Sequence, residues 1–299
     1  MSRVAVTGAS GLIGSALVRS LAADGHEVVR LVRRAPRAPG EVAWDPARGR
    51  VDAAGLAGCD AVVHLAGAGI GDHRWTAAYK KEIRDSRVHG TGAIAEALAS
   101  LDRPPRVLLS GSAIGIYGDT GERVVDEGAP PGSGFLAEVC RDWEEAAGAA
   151  AEAGVRTVLL RTGLVLSRHG GLGARLFPLF RLGLGGRLGG GGQYWSFIAL
   201  RDHVAALRHL LDASDVCGPV NLTAPQPVTN REATRVLGRA LRRPAPFAVP
   251  APALRLALGE MAKDVLAGQR AVPRRLQETG FSFACPDFAS AVRTALTED

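Results

Sequence analysis

The sequence predicts an α/β fold with a doubly wound, mostly parallel sheet and a smaller C-terminal lobe. Three observations support this prediction. Strand-like apolar runs alternate with helix-like segments from Val4 to Arg161. The connections between them are short, as in sheets whose parallel strands are joined by helices. The first strand also leads directly into a glycine-rich turn and a helix.

The first strand, Val4–Val6, is followed by three regularly spaced glycines and then by apolar residues at helical spacing. Gly8 can take the backbone angles of a tight turn, Gly11 removes a side chain where a pyrophosphate must approach, and Gly14 lets the helix pack closely. The helix N-terminus offers free N–H groups to phosphates. The pattern predicts dinucleotide binding in a Rossmann unit by Thr7, Gly8, Ser10, Gly11, Leu12, Ile13 and Gly14.

The second predicted strand, residues 26–32, ends in Arg33 and Arg34. In a Rossmann unit this strand end meets the adenosine ribose, where NAD-binding chains place a carboxylate for the 2′-hydroxyl. No carboxylate occurs here before Glu41. Two guanidinium groups suit a 2′-phosphate, so we expect NADP (NADPH) as the cofactor rather than NAD. The alternative is a pair of exposed loop arginines.

A third predicted strand, residues 60–67, ends in small residues. Small residues allow a cofactor to lie across the strand end, which predicts contacts to the cofactor by His64, Leu65, Ala66 and Gly67. His64 could act as an acid or base, but a histidine in such an apolar run more often packs or orients the backbone.

Ser112 follows the predicted strand 106–110. Ligands in open α/β sheets bind at the carboxyl ends of the strands. Ser112 is therefore the candidate catalytic residue, as a hydrogen-bonding contact to a reacting oxygen. The alternative is a hydroxyl that only caps the loop.

The chain divides by pattern into three parts. Residues 1–165 are expected to form the NAD(P)-binding Rossmann domain, and later segments around 195–225 are expected to return to it. Residues 166–243 supply further elements of a substrate lobe and a loop, Gly183–Gly192, with seven glycines in ten residues. That loop must be mobile or closely approached. Residues 244–299 are expected to form a small helical C-terminal domain.

Composition narrows the function classes. Of 299 residues, 46% are hydrophobic and 22% are charged, which indicates a folded chain with a sizeable core. The net charge is +6, but the arginines are spread along the chain, so we expect no nucleic-acid partner. No apolar run is long enough for a membrane span. The four cysteines form no metal-type pair, and no metal site is expected. With no room for a signal peptide, we expect a cytoplasmic protein.

These stretches together resemble the extended short-chain dehydrogenase/reductases. The resemblance rests on the turn Thr7–Gly14, the strand end His64–Gly67 and the stretch Ser112…Tyr117-Gly118. More narrowly, the chain is similar to an atypical subgroup of epimerase-like oxidoreductases, also called nucleoside-diphosphate-sugar epimerase-like proteins. The stretches of subgroup type are Trp75…Ser86-Arg87, 134–144 and 250–261. The resemblance implies an NAD(P)-binding Rossmann domain, a small C-terminal substrate lobe and a C-terminal domain of unknown function.

One feature departs from that family. Ordinary members carry Tyr-x-x-x-Lys, in which the tyrosine exchanges a proton with the substrate and the lysine lowers its pKa. The residues four positions after Tyr79, Tyr117 and Tyr194 are isoleucine, glycine and isoleucine. Phe135 and Val139 stand at the expected helix start, and neither can move a proton.

Two classes of function follow. The first is an NADP-dependent oxidoreductase or epimerase-like enzyme acting on a small polar or sugar-like substrate. Ser112 would contact the reacting oxygen, and Tyr117, Glu138 or Asp142 would be near enough in sequence to supply the proton. The second is a non-catalytic NADP(H)-binding redox sensor or partner-binding module. The missing dyad favours the second, and the intact glycine turn fits both.

Overall fold

The computed structural model describes residues 1–297. The chain divides into two compact units, each built from three stretches. The first unit contains 1–112, 138–160 and 207–219, and the second contains 113–137, 161–206 and the chain from 220 onwards. The predicted C-terminal domain ends at Asp299, and its last two residues lie outside the described part.

The strands are short and alternate with helices. In chain order they are β1 (Arg3–Thr7), β2 (Glu27–Val32), β3 (Glu41–Asp45), β4 (Arg50–Val51), β5 (Ala61–His64), β6 (Val107–Ala113), β7 (Val124–Val125), β8 (Arg156–Thr162), β9 (Leu164–Ser167), β10 (Gly186–Leu188), β11 (Tyr194–Trp195), β12 (Phe197–Ala199), β13 (Gly218–Leu222), β14 (Val228–Thr229), β15 (Phe247–Val249) and β16 (Arg270–Ala271).

The α-helices range from one to six turns. They are α1 (Leu12–Ala23), α2 (Ala77–Ala99), α3 (Phe135–Glu145), α4 (Gly148–Glu152), α5 (Gly171–Arg181), α6 (Leu200–Asp212), α7 (Asn230–Ala240), α8 (Ala251–Leu258), α9 (Ala262–Leu266), α10 (Arg274–Glu278) and α11 (Phe288–Thr297).

The central sheet has eight strands in the order β13-β8-β6-β5-β1-β2-β3-β4. β1 pairs in parallel with β2 on one side and β5 on the other, and β5 pairs in parallel with β6. The edge pair β3–β4 is antiparallel. The predicted doubly wound, mostly parallel sheet is thus confirmed, with β1 in its interior. Because the carboxyl ends of parallel strands meet at one edge, the turns after β2, β1, β5 and β6 follow one another along that edge.

The strands of the first unit form because their apolar runs are buried on both faces, as is typical of parallel sheets covered by helices. Val4–Val6 and Val107–Leu109 have at most 1% of their surface exposed. α1 buries Leu17 and Leu21, which are one turn apart, and the Thr76 side chain caps α2 by accepting a hydrogen bond from the Tyr79 amide at 3.1 Å. This packing fixes the loops at the strand ends.

The second unit has its own core of aromatic side chains. β9 and β12 pair in parallel, and Phe177, Phe197 and Phe288 pack together from α5, β12 and α11. The Thr229 side chain and Glu232 form a capping box at the start of α7. These contacts give the second unit a hydrophobic core separate from that of the first.

The glycine-rich loop, residues 183–192, contacts β15 and α7. Its strand Gly186–Leu188 pairs with β15, and the Asn230 side chain accepts a hydrogen bond from the Leu188 amide at 2.8 Å. Arg231 donates to the carbonyl of Gly190 at 2.9 Å. The loop is therefore tied to α7 by side-chain hydrogen bonds.

Within residues 1–297, no helix combines the length and the apolar character needed to cross a membrane.

Candidate functional site

The glycine turn after β1 is tightly closed. Gly8 has φ +65°, and a Cβ added there would lie 3.0 Å from the backbone of Leu65 at the end of β5. A Cβ at Gly14 would lie 2.8 Å from the carbonyl carbon of Gly8. A side chain at Gly14 would collide with backbone, and one at Gly8 would be strained by the positive φ and tightly packed on Leu65, so the sequence needs glycine to close the turn.

The start of α1 fits a phosphate group. The helix begins at Leu12 with Gly11 as its N-cap, and no side chain among the described residues caps it. Its first turn contains no acidic residue. The first amides of a helix have no carbonyl partner within the helix, so those of Leu12, Ile13 and Gly14 are available to bind an anion. Ser10 and Gly11 are exposed, which leaves the turn accessible.

Thr7 joins the ends of β1 and β5. Its hydroxyl oxygen accepts hydrogen bonds from the amides of Leu65 at 3.0 Å and Ala66 at 3.2 Å. The same oxygen lies 2.8 Å from His64 Nδ1. Because two donors already occupy the oxygen, its proton goes to Nδ1, and the neutral ring carries its proton on Nε2. Thr7 therefore fixes the backbone over which the cofactor is predicted to lie.

His64 is fully buried. Burial lowers its pKa from 6.5 to about 4, which keeps the ring neutral at ordinary pH. Its Nε2 has no hydrogen-bond partner among residues 1–297, and the ring stands edge-on to Trp44. This environment supports the packing interpretation of His64 over an acid or base.

The two arginines after β2 differ in their contacts. Arg34 donates both terminal nitrogens to Glu41, at 2.8 and 2.7 Å. These bonds and the Arg37 amide hold the pKa of Glu41 at about 2. Arg33 is exposed and makes no hydrogen bond or ion pair within residues 1–297. Both arginines line an open cavity of about 390 Å³, together with Arg50 and Trp44.

Glu41 is the first carboxylate after these arginines in the sequence, and its place on β3 explains why arginines surround its carboxylate. It stands opposite Arg30 in the β2–β3 register, and its carboxylate also lies 3.5 Å from the Arg30 guanidinium. Its side chain is 4% exposed. The carboxylate is therefore occupied by arginines and poorly placed to accept a ribose hydroxyl.

Ser112 meets a carboxylate that the sequence did not single out. Its hydroxyl is buried, with 3% of the residue exposed, and donates a hydrogen bond to Glu144 Oε1 at 2.6 Å. Glu144 lies on α3, next to Trp143. The Trp143 ring packs so closely on Gly111 of β6 that a Cβ added to Gly111 would lie 2.6 Å from it. The close packing of α3 on the end of β6 thus brings a hydroxyl and a carboxylate together.

The three residues suggested as proton donors by their proximity to Ser112 in the sequence contact other groups or solvent. Asp142 forms an ion pair with Arg84 at 2.6 Å. Glu138 is exposed on α3. Tyr117 donates to Asn221 at 2.8 Å and accepts from Arg161 at 3.0 Å within the second unit, and burial raises its pKa. Of the acidic residues near Ser112 in sequence or space, Glu144 is the one that it contacts.

The helix expected to begin at Phe135 does so, and Val139 one turn later is buried. The predicted site residues thus divide into a glycine turn and its neighbours on β5, an arginine pair beside a cavity, and Ser112 with its new partner Glu144. The signal that could have found Glu144 was its place in the subgroup stretch 134–144.

Comparison with known proteins identifies a family and several similar proteins. Residues 4–222 match the model of the NAD dependent epimerase/dehydratase family, and residues 249–295 match a domain of unknown function, DUF1731. Epimerase family protein MT2273 of Mycobacterium tuberculosis is 48% identical over 295 residues, covering 98% of this chain and 97% of the relative. Epimerase family protein SDR39U1 of Homo sapiens is 37% identical over 296 residues, covering 97% of this chain and 98% of the relative.

Solved structures agree with these matches. The crystal structure of human epimerase family protein SDR39U1 (isoform 2) with NADPH superposes with a TM-score of 0.90 at 34% identity, covering 99% of both chains. The nucleoside-diphosphate sugar epimerase from Corynebacterium glutamicum gives a TM-score of 0.81 at 37% identity, covering 99% of this chain and 58% of that one. The resemblance inferred from the sequence is confirmed.

Proposed function

Because the chain belongs to the NAD-dependent epimerase/dehydratase family, we propose that it is an NADP-dependent oxidoreductase or epimerase-like enzyme acting on a small polar or sugar-like substrate. The observation that carries the proposal is the 2.6 Å hydrogen bond between Ser112 and Glu144 at the carboxyl end of β6. It supplies a hydroxyl and a carboxylate in a chain whose sequence has no Tyr-x-x-x-Lys dyad.

The predicted cofactor residues fit a dinucleotide. The amides of Leu12, Ile13 and Gly14 would hold the diphosphate, since no side chain among the described residues caps α1. His64 at the end of β5, and residues 65–67 that follow the strand, would support the nicotinamide half. A bound nicotinamide would supply hydride transfer to or from carbon.

The preference for NADP rests on Arg33 and Glu41. Arg33 is exposed and unpaired within residues 1–297, so its guanidinium is available to a 2′-phosphate. Glu41 is engaged by Arg34, so it does not offer the free carboxylate that suits the ribose of NAD. The human relative crystallised with NADPH supports the same assignment.

Ser112 and Glu144 would handle the proton. During reduction, Ser112 passes its hydroxyl proton to the reacting oxygen of the substrate, and protonated Glu144 restores a proton to Ser112. Oxidation reverses both transfers, and solvent exchanges the proton of the half-buried Glu144. The buried hydroxyl orients the oxygen, and the carboxyl group acts through it as general acid or base.

The test measures NADPH consumption with a panel of aldehydes, ketones and keto sugars. Ser112→Ala and Glu144→Gln should each lower kcat/KM by about 10- to 100-fold, which corresponds to ~1.4–2.7 kcal/mol of transition-state stabilisation. Their affinity for NADPH should stay unchanged. Glu145→Gln is the matched control, because Glu145 is exposed on the same helix.

The solvent isotope effect separates proton transfer from packing. If Glu144 exchanges the proton, the kcat/KM of the wild type should fall in D₂O, Glu144→Gln should lose that dependence, and Glu145→Gln should keep it. Full activity of both Ser112→Ala and Glu144→Gln would contradict the assignment.

The alternative function is a non-catalytic NADP(H)-binding redox sensor or partner-binding module. The observation that favours it is the apolar pair Phe135 and Val139 at the start of α3, where ordinary members carry the dyad. Tight NADPH binding without turnover across the carbonyl panel would support this alternative. Absence of NADPH binding would contradict both functions.

A further inference from the structure

One face of α2 and the segment before it hold the loop that follows β5. The Ser86 hydroxyl accepts a hydrogen bond from the Ala68 amide at 3.1 Å. The Trp75 indole donates to the Ile70 carbonyl at 2.7 Å, and the Tyr79 hydroxyl donates to the Gly69 carbonyl. This is the stretch Trp75…Ser86-Arg87 of the sequence, and three of its side chains therefore position a loop.

Arg87 lies beside that loop. A Cβ added to Gly67 would lie 3.4 Å from Arg87 Cγ and 3.5 Å from Arg87 Cζ, so the side chain covers the residue after the end of β5. Its guanidinium carbon stacks over the Trp143 ring, 5.0 Å from the ring centroid. Nη1 donates one hydrogen bond, to the Ile83 carbonyl at 2.9 Å. The side chain is held in place on two sides.

The guanidinium has no acidic partner. Arg87 is half-buried and forms no ion pair with any residue of the described chain 1–297. A guanidinium carries five N–H donors, and here one is accounted for. Burial also lowers the pKa of this guanidinium. A desolvated cation is stabilised when an anion pairs with it, and no side chain among residues 1–297 provides one.

The position in the sheet indicates which end of the cofactor is near. The strand order runs β6-β5-β1-β2, and the arginines predicted for the 2′-phosphate follow β2. Arg87 covers the end of β5, on the other side of β1, toward β6 and Ser112. Trp143 stacks against Arg87 and neighbours Glu144, the partner of Ser112. Arg87 therefore lies at the reacting end of the site.

We propose that Arg87 is an anion-binding residue that takes a carboxylate or phosphate group of the substrate, so that the enzyme acts on anionic compounds. The location rests on the proposed function, because it assumes the nicotinamide lies between β5 and β6. The same chemistry could come from the cofactor diphosphate, and the experiment distinguishes the two sources. Arg favours planar oxyanions because its fork donates two parallel hydrogen bonds.

The experiment titrates oxalate and inorganic phosphate into the full chain with and without saturating NADPH, by isothermal titration calorimetry. Arg87→Met removes the charge and keeps most of the stem, and Arg87→Lys keeps the charge but loses the fork. Arg84→Met is the matched control, one turn away on α2, exposed and already paired with Asp142. Far-UV circular dichroism and thermal melting check the fold of each variant.

Arg87→Met should weaken oxalate binding to the NADPH-loaded protein by about 10- to 100-fold, with Arg87→Lys intermediate and Arg84→Met unchanged. An unchanged NADPH affinity assigns the anion to the substrate. An equal loss of NADPH and NADH affinity in Arg87→Met assigns it instead to the cofactor diphosphate and overturns the substrate assignment. Unchanged binding of every anion and both cofactors overturns the site altogether.

The proposed function fails separately. If the wild-type chain does not bind NADPH, that proposal is lost, and the titration of cofactor-free protein with oxalate and phosphate still decides whether Arg87 holds an anion. If Arg87→Met unfolds, the comparison of Arg87→Lys with the wild type carries the test, because the charge and most of the packing remain. Identical anion affinities in those two proteins would then contradict the site.

Discussion

Arg33 should carry the preference for NADPH, and Arg34 should not. Arg33 is unpaired within residues 1–297, whereas Arg34 gives both terminal nitrogens to Glu41. A charge-assisted hydrogen bond contributes ~1.5–3 kcal/mol, so one contact to a 2′-phosphate gives about 10- to 100-fold preference for NADPH over NADH. Arg33→Met should remove most of that preference by weakening NADPH alone. Arg34→Met should leave most of it, because its guanidinium is already engaged.

Glu41→Gln extends the test. This substitution removes the carboxylate that pairs with Arg34 and frees that guanidinium for the 2′-phosphate of NADPH. The affinity for NADPH should therefore rise, while the affinity for NADH stays the same. The assay is a fluorescence titration of each cofactor at one fixed ionic strength, because salt screens exposed charges. Equal affinities of the wild type for the two cofactors would refute the reasoning. A loss in Arg34→Met as large as that in Arg33→Met would refute the distinction between the arginines.

Two further predictions concern stability. Gly14→Ala places a Cβ 2.8 Å from the Gly8 carbonyl carbon, which should cost ~1–3 kcal/mol in urea unfolding and weaken NADPH binding. Gly92→Ala, with open space around it on α2, should leave NADPH binding unchanged and raise stability by about 0.5–1 kcal/mol, and equal effects of the two would contradict the packing argument. Burial holds the pKa of His64 and of His203 at about 4 against the ordinary 6.5. The unfolded chain then binds more protons than the folded one between pH 6.5 and 4, so stability should fall as pH drops, by ~2 kcal/mol per histidine between pH 7.5 and 5. Urea unfolding at those two pH values measures it, and equal stabilities would contradict it.

Local patterns in the sequence were enough to predict the sheet. Val4–Val6 is apolar and is followed by glycines at the spacing of a phosphate-binding turn, and both features depend on neighbouring residues. The same holds for the start of α3 at Phe135. Such patterns can be interpreted without knowledge of the rest of the fold. A strand buried on both faces requires apolar residues, and a tight turn requires glycine, whatever the remaining chain does.

The contacts of the site depend on pairing that the sequence does not display. Arg33 and Arg34 look equivalent until the β2–β3 register brings Glu41 opposite Arg30 and within reach of Arg34. Ser112 and Glu144 are 32 positions apart, and their hydrogen bond requires α3 to pack closely on the end of β6. Sequence proximity pointed to neighbours of Ser112 along the chain instead. Long-range packing therefore decides which charged groups are free and which are engaged.

Trp143 links the two proposals about the reacting end of the site. On α3, Phe135, Val139 and Trp143 recur every four residues, so an apolar stripe runs along the face that would carry the dyad. Trp143 donates to the Thr91 hydroxyl at 2.8 Å and stacks under Arg87, while the following residue, Glu144, reaches Ser112. The indole therefore contacts the Arg87 guanidinium, and the residue that follows it contacts the Ser112 hydroxyl. Under the two proposals, consecutive residues of α3 hold the anion-binding group and supply the proton-exchanging group, in a chain without the Tyr-x-x-x-Lys dyad.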